Sequence, residues 1–468
     1  FLLLLAPAKA QPKYEVRAAW VTAVYGLDWP RTKATTPTAI RRQQEELTDI
    51  LDKLKAANFN TILFQTRTRG DVLYHSSIEP YNSILTGKVD GDPGYDPLAF
   101  AVRECHKRGM ECHAWMVAIP LGNKKHVASL GNKSVTKQRK EICIPYKNEY
   151  FLNPGHPSTK EYLMKLVREV VTRYDIDGVH FDYLRFPDNY DFRRYGKGRT
   201  LDQWRRDNIT DIVRYIYKGV KEIKPWVKVS TCPVGKYKDT SRYSSRGWNA
   251  FHAVYQDPQG WLGEGIQDQI YPMMYFRQNN FYPFALDWQE QSNGRQIIPG
   301  LGIYFLHPSE GNWVREDVDR QINFIRAHKL AGEGHYRAKF LMDNTQGVYD
   351  ELAENFYAYP ALQPAMPWLD NVPPTAPEEL RITETADGYT LLTWKAAKDN
   401  DPVNAPRYVI YASETYPVDT TKPENIIAQS VRGTEYVYTS LLPWDRKKCF
   451  AVTAIDRYGN EGKAVQGR

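Results

Sequence analysis

The 468-residue chain lacks any apolar run of the roughly twenty residues that a membrane-spanning helix needs, so no transmembrane segment is expected. It has no Cys-x-x-Cys pair. Its five cysteines (Cys105, Cys112, Cys143, Cys232 and Cys449) are odd in number, which excludes a disulfide scaffold or a zinc ribbon. Cys105 and Cys112 fall on apolar positions and read as packing residues. Also missing are a G-x-G-x-x-G turn, a phosphate loop, a G-x-S-x-G elbow and an H-E-x-x-H helix. Those absences argue against nucleotide-dependent, serine-hydrolase and zincin chemistry. Long basic runs are wanting too. The Lys-rich stretch near Lys133–Lys140 reads as a solvated loop, and a net charge of +7 is small for this length, so no nucleic-acid partner is expected.

The first ten residues, FLLLLAPAKA, read as the tail of a secretory signal peptide cleaved before Gln11. No Cys follows the run, so a lipid anchor at this site is not expected. The mature protein is expected to be exported, periplasmic or extracellular, with cell-envelope association. Apolar (42%) and charged (25%) contents are those of an ordinary globular protein, but 12 Trp and 32 Tyr are many, and flat rings suit the apolar faces of sugars.

From Tyr14 to about Leu341, strand-like and helix-like patterns alternate. EVRAAWVTAV, NTILFQTR, MECHAWMVA, IDGVHFDY, WVKVSTCPV, DQIYPMMYF, QIIPGLGIYFL and GHYRAKFLM read as strands one to eight. Between them, Ile40, Leu47, Leu51 and Leu54 share a helical face, Asp96-Pro97 and Pro157-Ser158 open helices, and Ile209 to Ile223 has the cleanest amphipathic spacing. Eight such repeats with continuous apolar strands predict an α/β fold, a parallel (β/α)₈ barrel over residues 11–365. Insertions at Ile119–Pro154, Asp188–Asp207 and Gly235–Gly265 all leave the C-terminal ends of strands, the catalytic face of such barrels. A Pro-rich linker over 366–376 and alternating short strands over 377–468 predict a small all-β sandwich of fibronectin type III character.

One question then dominates. The apolar strand of DIDGVHFDYLRFP ends on an acid, Asp182, followed by Tyr183 and Arg185. A carboxylate on the rim, tuned by a phenol and a guanidinium, suits acid–base chemistry, whereas a structural ion pair is the plainer alternative. Other strand ends bring Trp20, Thr22, Asp28, Trp29, Gln65, Arg67, Arg69, Asp71, His113, Trp115, Tyr271, Tyr275 and Tyr304. Together they describe an aromatic-walled cleft fit for a polyol, with Trp20, Trp115 and Trp261 as candidate stacking platforms. Asn153 and His180 are further candidates for substrate binding. Glycoside cleavage ordinarily needs a second carboxyl. Asp257 leads, ahead of Asp71 and Asp28, while Glu333 and Asp268 lie near strand starts at the stability face. No cofactor or metal is expected, although His113, His180 and His335 lie on different strands and could converge.

In order along the chain, EVRAAWVTAVYGLDWP, GDVLYHSS, FLNPGHP, DIDGVHFDYLRFP, YQDPQGWLGEGIQDQIYPMMYF and IIPGLGIYFL resemble the glycosyl hydrolase-like family ten of bacterial exported proteins. That resemblance implies a (β/α)₈ fold and glycoside hydrolase activity, with some members associated with peptide-free glycan strands of peptidoglycan. Two wider comparisons concern strand four. Against the D-G-x-D-x-D-x-E pattern of family-18 chitinases, Asp177-Gly178 align, but Leu184 stands where the acid Glu belongs. Against amylase-like barrels, Asp182 matches the acid closing strand four, and His180 takes the place of an arginine. The expected activity is carboxylate-dependent cleavage of a bacterial cell-wall or related polysaccharide. The alternatives are a non-catalytic glycan-binding protein and a metal-dependent polysaccharide deacetylase.

Overall fold

The computed structural model describes residues 11–187, 200–439 and 449–468. Residues 1–10, on which the signal-peptide expectation falls, and most of the Asp188–Asp207 insertion therefore lie outside the described residues. The chain divides into two compact units. One comprises Arg17–Lys55 and Thr61–Tyr349, the other Ala56–Asn60, Asp350–Arg468 and the residues up to Val16.

The larger unit is built on eight parallel strands: β1 (Val16–Val21), β2 (Thr61–Arg67), β3 (Glu111–Val117), β4 (Gly178–Asp182), β5 (Lys228–Thr231), β6 (Gln269–Ile270), β7 and β8 (Gly332–His335). β7 consists of two short segments, Gln296–Ile297 and Gly300–Leu301. The first pairs with β6, the second with β8, and β8 lies beside β1, so the sheet closes on itself as a (β/α)₈ barrel. Every residue of β1 and of β2 is buried. Helices cover the outside and side chains fill the inside, which is why these strands read as unbroken apolar runs.

The main helices are α1 (Pro37–Ala56), α2 (Pro97–Lys107), α3 (Pro157–Arg173), α4 (Leu201–Ile223), α5 (Pro258–Gly263), α6 (Tyr282–Glu290) and α7 (Arg315–Ala327). Asp96 caps α2 by accepting the Ala99 N–H, and Pro97 sits in its first turn, where no N–H is missed. α4 turns Ile209, Ile212, Val213, Ile216 and Val220 inward.

Strand eight is shorter than GHYRAKFLM suggests. Only Gly332–His335 is extended, and Ala338–Met342 forms a helix that buries Ala338, Phe340 and Leu341. The turn at Tyr336 carries the chain off the rim instead of along the barrel wall. The insertion after β3 folds into a three-stranded antiparallel sheet of Pro120–Asn123, Glu149–Leu152 and Cys143–Tyr146. A long segment after β2, residues 68–96, also reaches the barrel mouth; it forms no helix or long strand.

At the opposite end, buried charges are tied off. Lys228 Nζ is 2.5 Å from Glu111 Oε1, Asp177 accepts the Cys112 N–H (2.9 Å), and Asp268 pairs with Lys221 at 2.6 Å. These carboxylates fix strand starts, as expected for Asp268.

The smaller unit contains two antiparallel sheets. One orders β9 (Glu378–Glu384), β10 (Thr390–Lys395) and β13 (Glu435–Tyr438); the other orders β12 (Ile426–Val431), β11 (Arg407–Ser413), β14 (Cys449–Ile455) and β15 (Val465–Gly467). Leu392, Trp394, Tyr408, Ile410, Phe450 and Val452 fill the space between them. The Pro-rich stretch is no free linker. Met366 is buried and donates its N–H to the Tyr458 carbonyl (2.8 Å), and the Thr375 N–H reaches the Lys398 carbonyl (2.8 Å).

Candidate active site at the mouth of the barrel

Parallel pairing puts Asp182, the last residue of β4, opposite Val117 at the end of β3. Its side chain is therefore delivered to the C-terminal rim. The residue is only 8% exposed. Burial pushes its carboxyl above the ordinary range; the Tyr183 N–H, the Arg185 charge, the Cys232 thiol and the Trp115 indole pull the other way. Tyr183 donates its backbone N–H to Asp182 Oδ1 over 2.7 Å. It does so from a left-handed conformation, φ 51°, that an L-tyrosine adopts only at a cost. Its ring stays 44% exposed, with the Arg185 guanidinium 4.8 Å from the centroid.

Three tyrosines face this rim from the following strands. Tyr275 and Tyr336 stack with centroids 5.5 Å apart, and Tyr304 meets both edge-on at 5.6 and 5.8 Å. Burial raises the pKa of Tyr275 and of Tyr336, and the Asp182 charge raises both further. Tyr336 was missed by sequence reasoning because its segment looked like strand interior. Asp28 is held nearby by Arg337 (2.5 Å), the Thr22 N–H (2.7 Å) and the Lys339 N–H (3.0 Å).

A cavity of about 350 Å³ is walled in part by the residues that follow Asp182 in the chain. Tyr183, Arg185 and Phe186 line one side, and Tyr146, Glu149 and Phe151 from the β3 insertion the other. Its aromatic walls and single lining carboxylate suit a sugar ring flanked by an acid.

Several candidates lie elsewhere. Arg67 is fully buried, gripping Glu79 through Nε (2.8 Å) and Nη2 (2.7 Å) and capping the Val117 and Ala118 carbonyls. It ties β2 to β3 and faces no solvent. Trp20 sits inside the barrel against His180 (5.8 Å) and Tyr271 (5.8 Å), where a Cβ on Gly334 would stand 2.6 Å from its ring. It is a core plug. Trp261 is 0% exposed and lies on α5, donating to Thr210 Oγ1 of α4 (2.8 Å), so it belongs to the outer helical layer. Asp257 caps α5: Oδ1 accepts the Gly260 N–H (3.1 Å) and the Tyr237 hydroxyl (2.6 Å). Asp71 is buried, accepting from the Thr68 hydroxyl and the Arg69 N–H. Asn153 Oδ1 accepts the Gly155 N–H (3.0 Å) ahead of α3.

His180 meets Ser230 through Nδ1 (2.9 Å), and burial holds its pKa well below the usual value, so it is neutral. His335 is likewise pushed down, to about 3, by burial. His113 pairs with Glu111 at the strand start (2.9 Å). Among the described residues no three His, Cys, Asp or Glu side chains converge as a metal centre requires.

Comparison with known proteins agrees with this architecture. Residues 15–306 match the family Glycosyl hydrolase-like 10. The glycosyl hydrolase YngK of Bacillus subtilis (strain 168) is 31% identical over 98% of this chain and 94% of its own length. The glycosyl hydrolase DigH of Escherichia coli (strain K12) is 32% identical over 58% of this chain and 68% of its own length. Among solved structures, the catalytic domain of β-amylase from Paenibacillus polymyxa superposes with a TM-score of 0.51 at 9% identity, covering 75% of this chain and 99% of that one; the likeness is one of fold. The chain belongs to the glycosyl hydrolase-like 10 family.

Proposed function

We propose that the protein is an exported glycoside hydrolase that cleaves a bacterial cell-wall or related polysaccharide, with peptide-free peptidoglycan glycan strands as the first substrate to test. One observation carries the mechanism: a buried carboxyl with a raised pKa, Asp182, ends β4 one residue before Tyr183, which lines a cavity with Arg185 and Phe186. A carboxyl that keeps its proton to higher pH is suited to general-acid catalysis. Asp182 gives its proton to the glycosidic oxygen as the C1–O bond breaks and the bonding pair moves onto that oxygen. Glu149, the acid lining the cavity, is assigned the second role, attacking C1 or activating water. Family membership and two relatives named as glycosyl hydrolases support this reading. The two-sheet unit reads as a fibronectin type III-like spacer or docking module, since its fold brings no chemistry of its own.

The test is incubation of the protein and its Asp182→Asn variant with such strands, products being read by mass spectrometry. Cleavage by the wild type alone supports the proposal. Binding by both without cleavage by either favours a non-catalytic glycan-binding protein, the reading that gains from Asp257 being a helix cap.

A further inference from the structure

A second cavity, of about 310 Å³, opens among the loops after β1, β2 and β3, with Tyr25, Lys33, Arg69, Asn82 and His126 in its wall. None of its lining residues is acidic. Arg69 Nη1 bonds to the Tyr25 hydroxyl (2.6 Å), and Lys33 Nζ to the Ile84 carbonyl (2.7 Å). Both partners are neutral, and among the described residues neither cation is paired with a carboxylate. Asp71 lies 3.6 Å from His126 Nε2 but does not line the cavity, and it is already engaged by the Thr68 hydroxyl and the Arg69 N–H. Burial lowers the Lys33 pKa, so its charge is held there against a cost that an incoming anion would offset.

The wall is rigidly placed. Gln65 Oε1 accepts the N–H groups of Ala23 (2.9 Å) and Val24 (2.8 Å), fixing the turn in which Tyr25 stands at φ 56°. Asn82 Nδ2 donates to Thr68 Oγ1 (2.8 Å). Tyr25 is 71% exposed, with the Arg69 guanidinium 5.4 Å from its ring centroid, so a large flat face is presented beside an unpaired cation.

We propose that this cavity is a subsite for a sugar bearing a carboxylate: Arg69 and Lys33 take the carboxylate, and Tyr25 takes the ring. The proposal deepens the polysaccharide reading above and rests on it. Two sources share the chemistry, a lactyl ether on an amino sugar and the C6 carboxylate of a uronic acid.

The experiment is calorimetric titration of the intact protein with four probes of equal length: muramic-acid-containing glycan, the same glycan with its carboxyls reduced to alcohols, a neutral chitooligosaccharide, and oligogalacturonate. Carboxyl reduction is expected to weaken binding on the order of tenfold, with a matching gain in salt sensitivity for the acidic probe. Arg69→Gln combined with Lys33→Gln is expected to remove that difference while leaving neutral-probe affinity and melting temperature near wild type. Preference for muramic glycan or for oligogalacturonate identifies the source. Equal binding of acid and reduced probes, or no binding of any acidic probe, overturns the subsite. Carboxylate-dependent binding without cleavage overturns the hydrolase reading instead and leaves the subsite standing.

Discussion

Tyr183 donates its backbone N–H to the carboxylate of Asp182, 2.7 Å away, and reaches it by standing at φ 51°. The strained residue and the acid are neighbours in sequence, so one feature of the chain trace sets both the orientation of the carboxyl and the exposure of the phenol ring. A left-handed tyrosine costs about 1–2 kcal/mol relative to ordinary backbone. Tyr183→Gly removes that cost but adds chain entropy in the unfolded state, so its stability is expected within about 1 kcal/mol of wild type. Glycan affinity should fall because the aromatic wall is gone. Urea unfolding and calorimetry on one preparation check both halves.

Arg185 pulls the Asp182 pKa down against the larger effect of burial. Arg185→Gln therefore raises that pKa further. If Asp182 is the general acid, it governs the alkaline limb of kcat/KM, and the limb moves to higher pH in the variant. A pH–rate profile of the two proteins decides it; an unmoved limb separates Asp182 from the acid role.

The raised pKa also has a stability consequence with a definite sign. The folded protein holds the Asp182 proton at pH values where the unfolded chain releases it, so this contribution is fully present below the unfolded value near 3.8 and is lost as pH rises through the folded one. Asp182→Asn should flatten that part of the stability curve and, near neutral pH, melt at or above the wild-type temperature. Thermal melts across the acid range measure it.

Arg67 and Glu79 form a buried bidentate pair, joined by the Tyr162 hydroxyl at 2.8 Å from Glu79 Oε1. Removing one partner leaves the other charge unpaired in the core, so Glu79→Gln is expected to cost about 3–5 kcal/mol. A role for Arg67 in binding sugar predicts lost affinity with stability intact. Chemical denaturation distinguishes them.

Asp257→Ala should cost about 1 kcal/mol, the usual worth of a helix cap, and leave kcat unchanged. Glu149→Gln should do the reverse, lowering kcat by roughly a hundredfold or more with little change in melting temperature. Loss of kcat in Asp257→Ala would return that residue to the site.

Much of the fold was legible because β1 to β4 and the long helices carry strong periodic signals over many residues. β6 and the two segments of β7 are pairs of residues, and α5 has six, too short for a period to register. The run GHYRAKFLM looked like one strand because apolar spacing alone does not separate a short buried helix from a strand. Tyr336 was lost with it. The Asp-Pro signature that identified the cap of α2 recurs at Asp257-Pro258, so the capping role of Asp257 was available in the sequence. Arg67 was beyond reach: its partner Glu79 lies twelve residues on, across a loop whose path the sequence does not specify. Asp182 was legible because a single strand ended on it. The cation-lined cavity was not, because Tyr25, Lys33, Arg69 and His126 come from three separate loops.

The central claim is that Asp182 is the proton donor of a glycosidase, and the most direct test is turnover of peptide-free glycan strands by wild type and Asp182→Asn, followed by mass spectrometry. The account predicts new reducing ends from the wild type and at least a hundredfold fewer from the variant, with strand binding retained. Equal product from both proteins would contradict it.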